Sequence, residues 1–384
     1  MSTPVPITIP SSASLKAAEK WALIKSQGAK WSAQSSRATS LPAFANHELI
    51  TKYQQYSQQC IMSFVIGAAS GLWFLLHTPE IFVPLLATKR SESMSCLFLR
   101  SEDRDMVVQD TDNKMMSDYR YNSTVKITLD WLQSDMRDVK SEGRVWLEKV
   151  RSMHNHVCKL MHKMAEGHEH LTPKEGTVWV SQKDMVVTQF AFVGLTLLFP
   201  EACGFNLKSH EEHVEATVHF WLVLGSLLGI PREFNLCSGT RDETMELCRI
   251  IMREEFLPVL EGTVQAEEKI VKMSQDMAAD AASVLRCIAP MLSGRILHEY
   301  WARVAGSNKK ADLMTAERFR LFCIRTFIQK LLPFGWIRKM ATYLWFANYR
   351  TVWGKRDARA EKIRAKNPEI RYKLSDLQSS RCLQ

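Results

Sequence analysis

Apolar residues recur at helical spacing along most of the chain, whereas the strict alternation expected of strands is weak. Turn residues separate the helical stretches, and no Asn-Gly hairpin signal occurs. The clearest stretches are 123–136, 144–164, 184–199, 210–229, 241–260 and 266–292. The pattern predicts an all-α protein built as one large helical domain.

Local signals set the expected boundaries. Ser181 with Asp184 and Ser209 with Glu212 have the spacing of capping boxes, which begin helices. Gly229, followed closely by proline, predicts a helix end. We expect a flexible leader over 1–44, a helical domain over 45–350 and a basic tail over 351–384.

The strongest apolar run covers 61–76, which is shorter than the roughly 20 residues that a membrane-spanning helix requires. Pro79 and Pro84 are expected to interrupt its continuation. Two interpretations stay open for this run: a buried core helix, which its length favours, or a membrane-inserted segment.

Composition narrows the choice of compartment and partner. Nine cysteines are scattered over 384 residues without a C-x-x-C pair, which argues against a zinc ribbon or a disulfide-dense secreted fold and suggests a reducing compartment. The formal net charge of +9 suits an anionic membrane surface or nucleic acid. Because no nucleic-acid recognition motif accompanies the charge, we expect no nucleic-acid partner.

The stretch 319–356 mixes aromatic residues with Arg and Lys and contains almost no acid. Such a segment can lie at a membrane interface, with its rings at the depth of the headgroups. It can equally form two packed helices with solvated basic edges, so both interpretations remain.

Five histidines occur between Val150 and His170. On a helical wheel, His154 faces the apolar side beside Arg151, whereas His156 faces water. An inward guanidinium needs a partner such as a haem propionate, a phosphate or a buried acid. Otherwise Arg151 reaches the surface and His154 bonds a backbone carbonyl.

Gln189 lies in the middle of a helical stretch that is apolar all round. Its amide either binds a neighbouring helix or contacts a ligand. Non-haem metal sites are less well supported, because no Glu-x-x-His pair and no H-E-x-x-H motif occur. The HEEH at 210–213 has the composition of a polar helix start, and the HEH at 168–170 lacks a completing cysteine pair.

The ordered segments VRSMHNHV, VSQKDMVVTQFAF and HFWLVLGSLLGIPREFNLC resemble the catalytic domain shared by latex-clearing rubber oxygenases and the endoplasmic-reticulum-bound oxygenase of mycophenolic acid synthesis. The resemblance covers roughly 50–350. It implies an all-helical fold with a globin-like core, a b-type haem, and dioxygen-dependent cleavage of C=C bonds in isoprenoid chains.

The resemblance implies that Arg151 and His154 lie on the distal side of the haem. The family's proximal histidine corresponds to Gln189, and glutamine is a poor ligand for haem iron. His219 on the following helical stretch is the nearest substitute, so the expected iron ligand is His154 or His219. Arg151, His154, Gln189 and His219 together form the expected haem-binding set.

The leading functional hypothesis is a haem-dependent oxygenase that acts with dioxygen on an apolar, isoprenoid or lipid substrate. The alternative is a catalytically degenerate, membrane-associated helical protein that binds a lipid or a partner. In both cases we expect an intracellular, membrane-associated protein, with the endoplasmic reticulum implied by the resemblance, or a cytoplasmic one if it does not bind membranes.

Overall fold

The computed structural model describes residues 11–32, 40–89, 124–166, 173–264 and 293–354. Helices make up 73% of this part of the chain, which contains no strand, so the all-α prediction is confirmed. The globin-like arrangement of the core stays a prediction. The predicted helix over 266–292 and most of the predicted basic tail lie outside the described residues.

The helices, numbered in chain order, are α1 (Ser12–Ser26), α2 (His47–Gln59), α3 (Ile61–Leu75), α4 (Pro79–Lys89), α5 (124–133), α6 (Glu142–Ala165), α7 (Gln182–Leu198), α8 (Leu207–Glu211), α9 (Val214–Leu227), α10 (Arg241–Ile251), α11 (Leu257–Glu261), α12 (Gly294–Ala305), α13 (Thr315–Thr326) and α14 (Gly335–Gly354). Wider π-helical turns follow α10 at Met252–Phe256 and α13 at Phe327–Leu331. One hydrophobic core joins side chains from Ala17 to Trp345.

α3 packs against α7 at the centre of that core. A Cβ atom on Gly71 would lie 1.7 Å from the carbonyl oxygen of Ala191, so only glycine permits this approach of the two backbones. Thirteen of the 15 residues of α3 are buried. The apolar run is therefore a core helix in this structure, as its length favoured.

No single helix among the described residues is both long enough and apolar enough to cross a membrane. α2 and α3 pass the length and composition test only as a pair, and they are bent by 92° at the break between them. α3 ends at Leu75 and α4 begins at Pro79, so the apolar run is interrupted at Pro79 as expected. Pro84 lies inside α4 and does not end it, which differs from the prediction.

The predicted flexible leader requires correction, because residues 12–26 form α1. Ser11 caps its N-terminus, and the helix buries Ala17, Trp21 and Ile24 at spacings of four and three residues. The indole nitrogen of Trp21 donates to Glu254 at 2.7 Å. α1 packs on α10, so this stretch contributes to the core.

Two of the three predicted helix boundaries are confirmed. Ser181 and Asp184 form a reciprocal capping box at the start of α7, and α9 ends at Leu227 before Gly229 adopts a positive φ of 96°. The box at Ser209 and Glu212 was wrong. Asn206 caps α8 instead, and its side chain accepts a hydrogen bond from the Ser209 amide.

Candidate functional site

α6 carries the predicted Arg–His pair, and the wheel assignment of its side chains holds. Arg151 is buried, His154 is half-buried and His156 is exposed. The ring Nδ1 of His162 lies 2.8 Å from the Cys158 carbonyl oxygen at the margin of the helix. His168 and His170 lie outside the described residues.

Arg151 reaches the end of a neighbouring helix. Its Nη1 donates a hydrogen bond to the carbonyl oxygen of Leu227, the last residue of α9, at 3.1 Å. Carbonyl groups in the last turn of a helix have no partner within the helix, and the negative end of the helix dipole favours a cation there. Burial lowers the pKa of Arg151, but a guanidinium stays charged at neutral pH.

A second arginine of α6 lies on the same stripe and was missed by the sequence reasoning. Arg144 is seven residues before Arg151, and only 3% of its surface is exposed. The seven-residue spacing places both guanidinium groups on one helical face, and the predicted stretch 144–164 already contained this position. Burial also lowers the pKa of Arg144.

His154 differs from its neighbours in having an unused ring nitrogen. Its Nδ1 is buried and has no hydrogen-bond partner among the described residues. Burial lowers the pKa of this imidazole to about 4, so the ring is neutral at pH 7. A neutral imidazole with a free nitrogen can bind a metal or accept a hydrogen bond from a ligand.

Gln189 is engaged at both ends of its amide. Its Nε2 donates to the Trp221 carbonyl oxygen at 2.7 Å and lies 3.2 Å from Asn235 Oδ1. Its Oε1 accepts from the Leu236 amide at 3.1 Å. The side chain therefore binds α7 to α9 and to the segment after α9, which is the structural alternative that the sequence left open.

His219 also has a structural partner. Its Nε2 accepts a hydrogen bond from the backbone amide of Asn46, the N-cap of α2, at 2.8 Å. Burial lowers the pKa of His219 and so favours the neutral ring that this acceptor role needs.

The four predicted residues therefore make contacts in different places. Arg151 and Gln189 both reach carbonyl groups of α9, but Leu227 and Trp221 are six residues apart, which is about 9 Å along a helix axis. His219 turns towards α2. Gln189 and Nε2 of His219 already hold structural hydrogen bonds, so the set does not fit a haem held through them, whereas Nδ1 of His154 is buried and unpartnered among the described residues. Elsewhere in the described part of the chain, no group of three His, Cys, Asp or Glu could hold a metal ion.

The histidines of the HEEH segment surround Tyr56. The Tyr56 hydroxyl lies 3.1 Å from Nδ1 of His210, and the His213 ring stacks on the Tyr56 ring at 4.2 Å between centroids. His210 is buried, and burial lowers its pKa to about 4. His210 therefore packs in the core, whereas His213 is half-buried as the N-cap of α9 and follows the exposed Glu211 and Glu212, so the polar helix start lies at His213.

A different kind of candidate site lies on α13 and α14. Nine of the 15 large apolar side chains that are exposed in the described part of the chain fall between residues 314 and 344. They are Met314, Phe319, Phe322, Leu331, Phe334, Trp336, Met340, Tyr343 and Leu344. Soluble proteins rarely expose so many large apolar groups in one region unless the region binds something.

These residues have a regular arrangement on α14. Trp336, Met340 and Tyr343 follow at spacings of four and three, so they form one stripe along the helix. Trp336 is 69% exposed and Tyr343 is 73% exposed. Trp345, on the opposite side of α14, is buried in the core, and Ile337 is also buried. The helix is therefore held in place while its aromatic stripe faces outward.

Basic residues accompany the apolar ones. Residues 314–354 include seven Lys or Arg and a single acid, Glu317. Glu317 is buried, and its carboxylate accepts from the Met314 amide at 3.0 Å. Two exposed carboxylates from outside this stretch approach its cations: Glu201 pairs with Lys330 at 3.0 Å, and Asp312 lies 3.8 Å from Arg318. Residues 314–347 themselves contribute no exposed carboxylate. We call the exposed apolar and basic side chains of residues 314–347 the C-terminal surface.

Comparison with family models, with curated proteins and with solved structures gave no match to this chain. The resemblance to the rubber oxygenases therefore stays a prediction that rests on the short motifs quoted above. The fold class and the geometry of the described residues are the basis of the functional argument.

Proposed function

We propose that this protein is a peripheral membrane protein whose C-terminal surface docks on anionic lipid bilayers. The observation that carries the proposal is the stripe of exposed aromatic side chains on α14, in a region whose only acid is buried. This corresponds to the membrane-associated alternative derived from the sequence.

The chemistry of the surface matches the interfacial zone of a bilayer. Trp and Tyr favour the depth of the headgroups because each has an apolar ring and a polar atom. Lys339 and Arg320 are exposed and can approach lipid phosphates. Each Lys or Arg near an anionic leaflet contributes about 1 kcal/mol of attraction. Apolar insertion and charge attraction therefore act at the same surface.

A second copy of the chain is a poorer occupant for this surface. In a symmetric dimer the same patch faces itself, so the cations of α13 and α14 would lie opposite one another. Asp312 and Glu201 pair only with Arg318 and Lys330, so the repulsion among the other cations of the surface would not be offset. An anionic bilayer supplies the opposite charge.

Vesicle flotation tests the proposal. The full chain should float with vesicles of phosphatidylserine and phosphatidylcholine, and should bind pure phosphatidylcholine at least tenfold more weakly, because each basic group contributes about 1 kcal/mol. A chain that stays at the bottom of the gradient with both vesicle types would contradict the proposal. Size-exclusion chromatography of the same sample would then show whether the surface joins two copies.

One observation favours a second candidate function, the haem-dependent oxygenase. His154 has a buried, neutral and unpartnered nitrogen, and the buried guanidinium of Arg151 lies three residues earlier on the same helix. When bound, haem would supply the oxidation of an apolar, isoprenoid or lipid substrate by dioxygen. His154 would hold the haem or form a hydrogen bond with the dioxygen substrate, and the Arg151 guanidinium would bind a propionate in place of the Leu227 carbonyl oxygen. The C-terminal surface would then bring the site to the membrane that holds the substrate.

Haem titration of the purified full chain tests this candidate. A Soret band that forms with wild type and with His156→Ala, but is altered in His154→Ala, would support it. His156 is the matched control because it lies exposed on the same helix. An unchanged spectrum of free haem in all three samples would end the oxygenase hypothesis and leave the membrane-docking proposal intact.

A further inference from the structure

A half-open cavity of about 230 Å³ lies between α1, α10 and the segment that precedes α10. The polar side chains in its wall include Lys20, Ser238, Glu243 and Thr244, and Leu247 supplies apolar surface. Pockets for drug-sized ligands span roughly 300–1,000 Å³, so this cavity suits a smaller molecule.

Lys20 is held in a fixed position in this wall. Its Nζ donates to the Asn235 carbonyl oxygen and to Ser238 Oγ, each at 2.5 Å. Burial, with a smaller contribution from Arg232, lowers its pKa from 10.5 to about 8. At pH 7 about a tenth of this amine is therefore neutral, against roughly one in three thousand for an ordinary lysine.

Thr244 provides a second, independent observation at this cavity. It is 1% exposed, and its Oγ1 has no hydrogen-bond partner among the described residues. Buried hydroxyl groups nearly always have partners, because an unmade bond destabilises the fold. Since Thr244 lines the cavity, a small polar molecule there could supply the partner.

Glu243 places a carboxylate in the same wall. Its Oε1 accepts from Lys16 at 2.8 Å and its Oε2 accepts from the Thr240 amide at 2.9 Å. These hydrogen bonds lower the pKa of Glu243, so the group is anionic at pH 7. Two lysines and two glutamates line the cavity, so their formal charges balance and the site suits a neutral molecule. Glu243 also interacts with the Lys20 amine and can stabilise a cation formed at that nitrogen.

We propose that this cavity binds a small neutral aldehyde and that Lys20 joins it covalently as an imine. The Nζ lone pair adds to the carbonyl carbon, and a proton of the amine moves to the carbonyl oxygen, which gives a carbinolamine. The hydroxyl group then leaves with the remaining nitrogen proton as water, and the C=N bond forms without oxidation or reduction. Thr244 Oγ1 donates to the carbonyl oxygen, and Glu243 stabilises the protonated imine.

Reductive trapping tests this assignment on the full chain. Acetaldehyde with cyanoborohydride at pH 7 should ethylate Lys20 at least tenfold faster than Lys16, as measured by peptide mass spectrometry. Lys16 is the matched control, because it lines the same cavity but its hydrogen bond to Glu243 raises its pKa. The Lys20 rate should also saturate with aldehyde concentration, which distinguishes binding from simple reactivity.

Thr244→Val isolates the role of the hydroxyl group. This change keeps the volume of the side chain, and we expect it to raise the half-saturating aldehyde concentration at least threefold while Lys16 reacts as before. Measurements on the wild-type chain are sufficient to overturn the proposal. Either of two results would do so: Lys20 is labelled no faster than Lys16, or the Lys20 rate rises linearly with aldehyde concentration and does not saturate.

Discussion

The side-chain amide of Gln189 donates to the carbonyl oxygen of Trp221 at 2.7 Å, and so joins the centre of α7 to α9. The Trp221 carbonyl belongs to the body of α9, and the Gln189 oxygen accepts from the Leu236 amide beyond the end of that helix. At the position where the resemblance implies a haem ligand, the structure thus has a helix-to-helix contact.

Loss of this contact should destabilise the fold. Gln189→Leu would leave the buried Leu236 amide without its partner, and the Trp221 carbonyl would keep only its hydrogen bond within α9. One unsatisfied buried group costs about 1–3 kcal/mol, so we expect the free energy of unfolding, measured by urea titration, to fall by about that amount. Gln55→Leu on the exposed side of α2 is the control, with an expected change within about 0.5 kcal/mol. Equal stability of both variants would contradict the structural role of Gln189.

The crossing of α3 and α7 leads to a second prediction. Gly71→Ala would place a methyl group against the backbone of Ala191, which cannot move as a flexible side chain could. We expect a loss of more than about 3 kcal/mol or failure to fold, as for severe overpacking. Gly294→Ala is the matched control, because a Cβ atom at that position would have no other atom within 4 Å. Similar melting temperatures for the two variants would show that α3 and α7 do not approach so closely.

Burial of His154 predicts a dependence of stability on pH. Its folded pKa of about 4 lies below the unfolded value of 6.5, so the unfolded chain binds more protons between these values and stability falls as the pH drops from 6.5 towards 4. His77 and His210, also near 4, act in the same direction. Asp184 acts oppositely, because burial raises its pKa to about 7 and its folded form keeps a proton that the unfolded form loses.

Comparing variants isolates the contribution of His154 to the pH dependence of stability, because His77, His210 and Asp184 are present in every sample. His154→Leu should reduce the loss of unfolding free energy between pH 7 and pH 4.5 by about 2 kcal/mol. His156→Leu, on the exposed side of α6, should leave that loss unchanged. Parallel pH curves for wild type and His154→Leu would show that the ring is not buried as described.

The positive charge of the C-terminal surface predicts a strong dependence of vesicle binding on salt. Lys339→Glu should weaken binding to phosphatidylserine vesicles about tenfold or more, because it removes an attraction of about 1 kcal/mol and adds a repulsion. Lys208→Glu changes net charge equally but lies on α8, outside the surface, and serves as the control. Raising the salt from about 0.1 M to 1 M shortens the Debye length from about 10 Å to 3 Å and should reduce wild-type binding. If both variants bind alike, the charge of α14 is not what attracts the membrane.

The sequence predicted the parts of the structure that depend on local pattern. Amphipathic spacing along α6 correctly separated buried Arg151 from exposed His156, and the Ser181–Asp184 pair marked the start of α7. It did not find α1, because the helix buries only three residues and its polar positions resemble those of a solvated leader. The helix that α1 packs against is α10, which lies more than 200 residues further along the chain.

Long-range contacts also explain what was missed at the candidate sites. Lys20 approaches Asn235 and Ser238 across more than 210 residues, so neither the cavity nor its lowered lysine pKa has a local signal. The sequence left the role of Gln189 open because its partners, two backbone groups and one side chain, depend on how three segments pack. The basic and aromatic composition of α14 was visible, whereas exposure of its aromatic stripe required the packed fold.

The most direct test of the membrane-docking proposal changes that stripe alone. Trp336→Ser with Tyr343→Ser should weaken flotation with phosphatidylserine vesicles at least tenfold, since each ring removed from the interface costs about 1 kcal/mol or more. Leu207→Ser, at a similarly exposed apolar position on α8, should float like wild type. Undiminished flotation of the double variant would contradict the account, because the chain would then bind membranes through another surface.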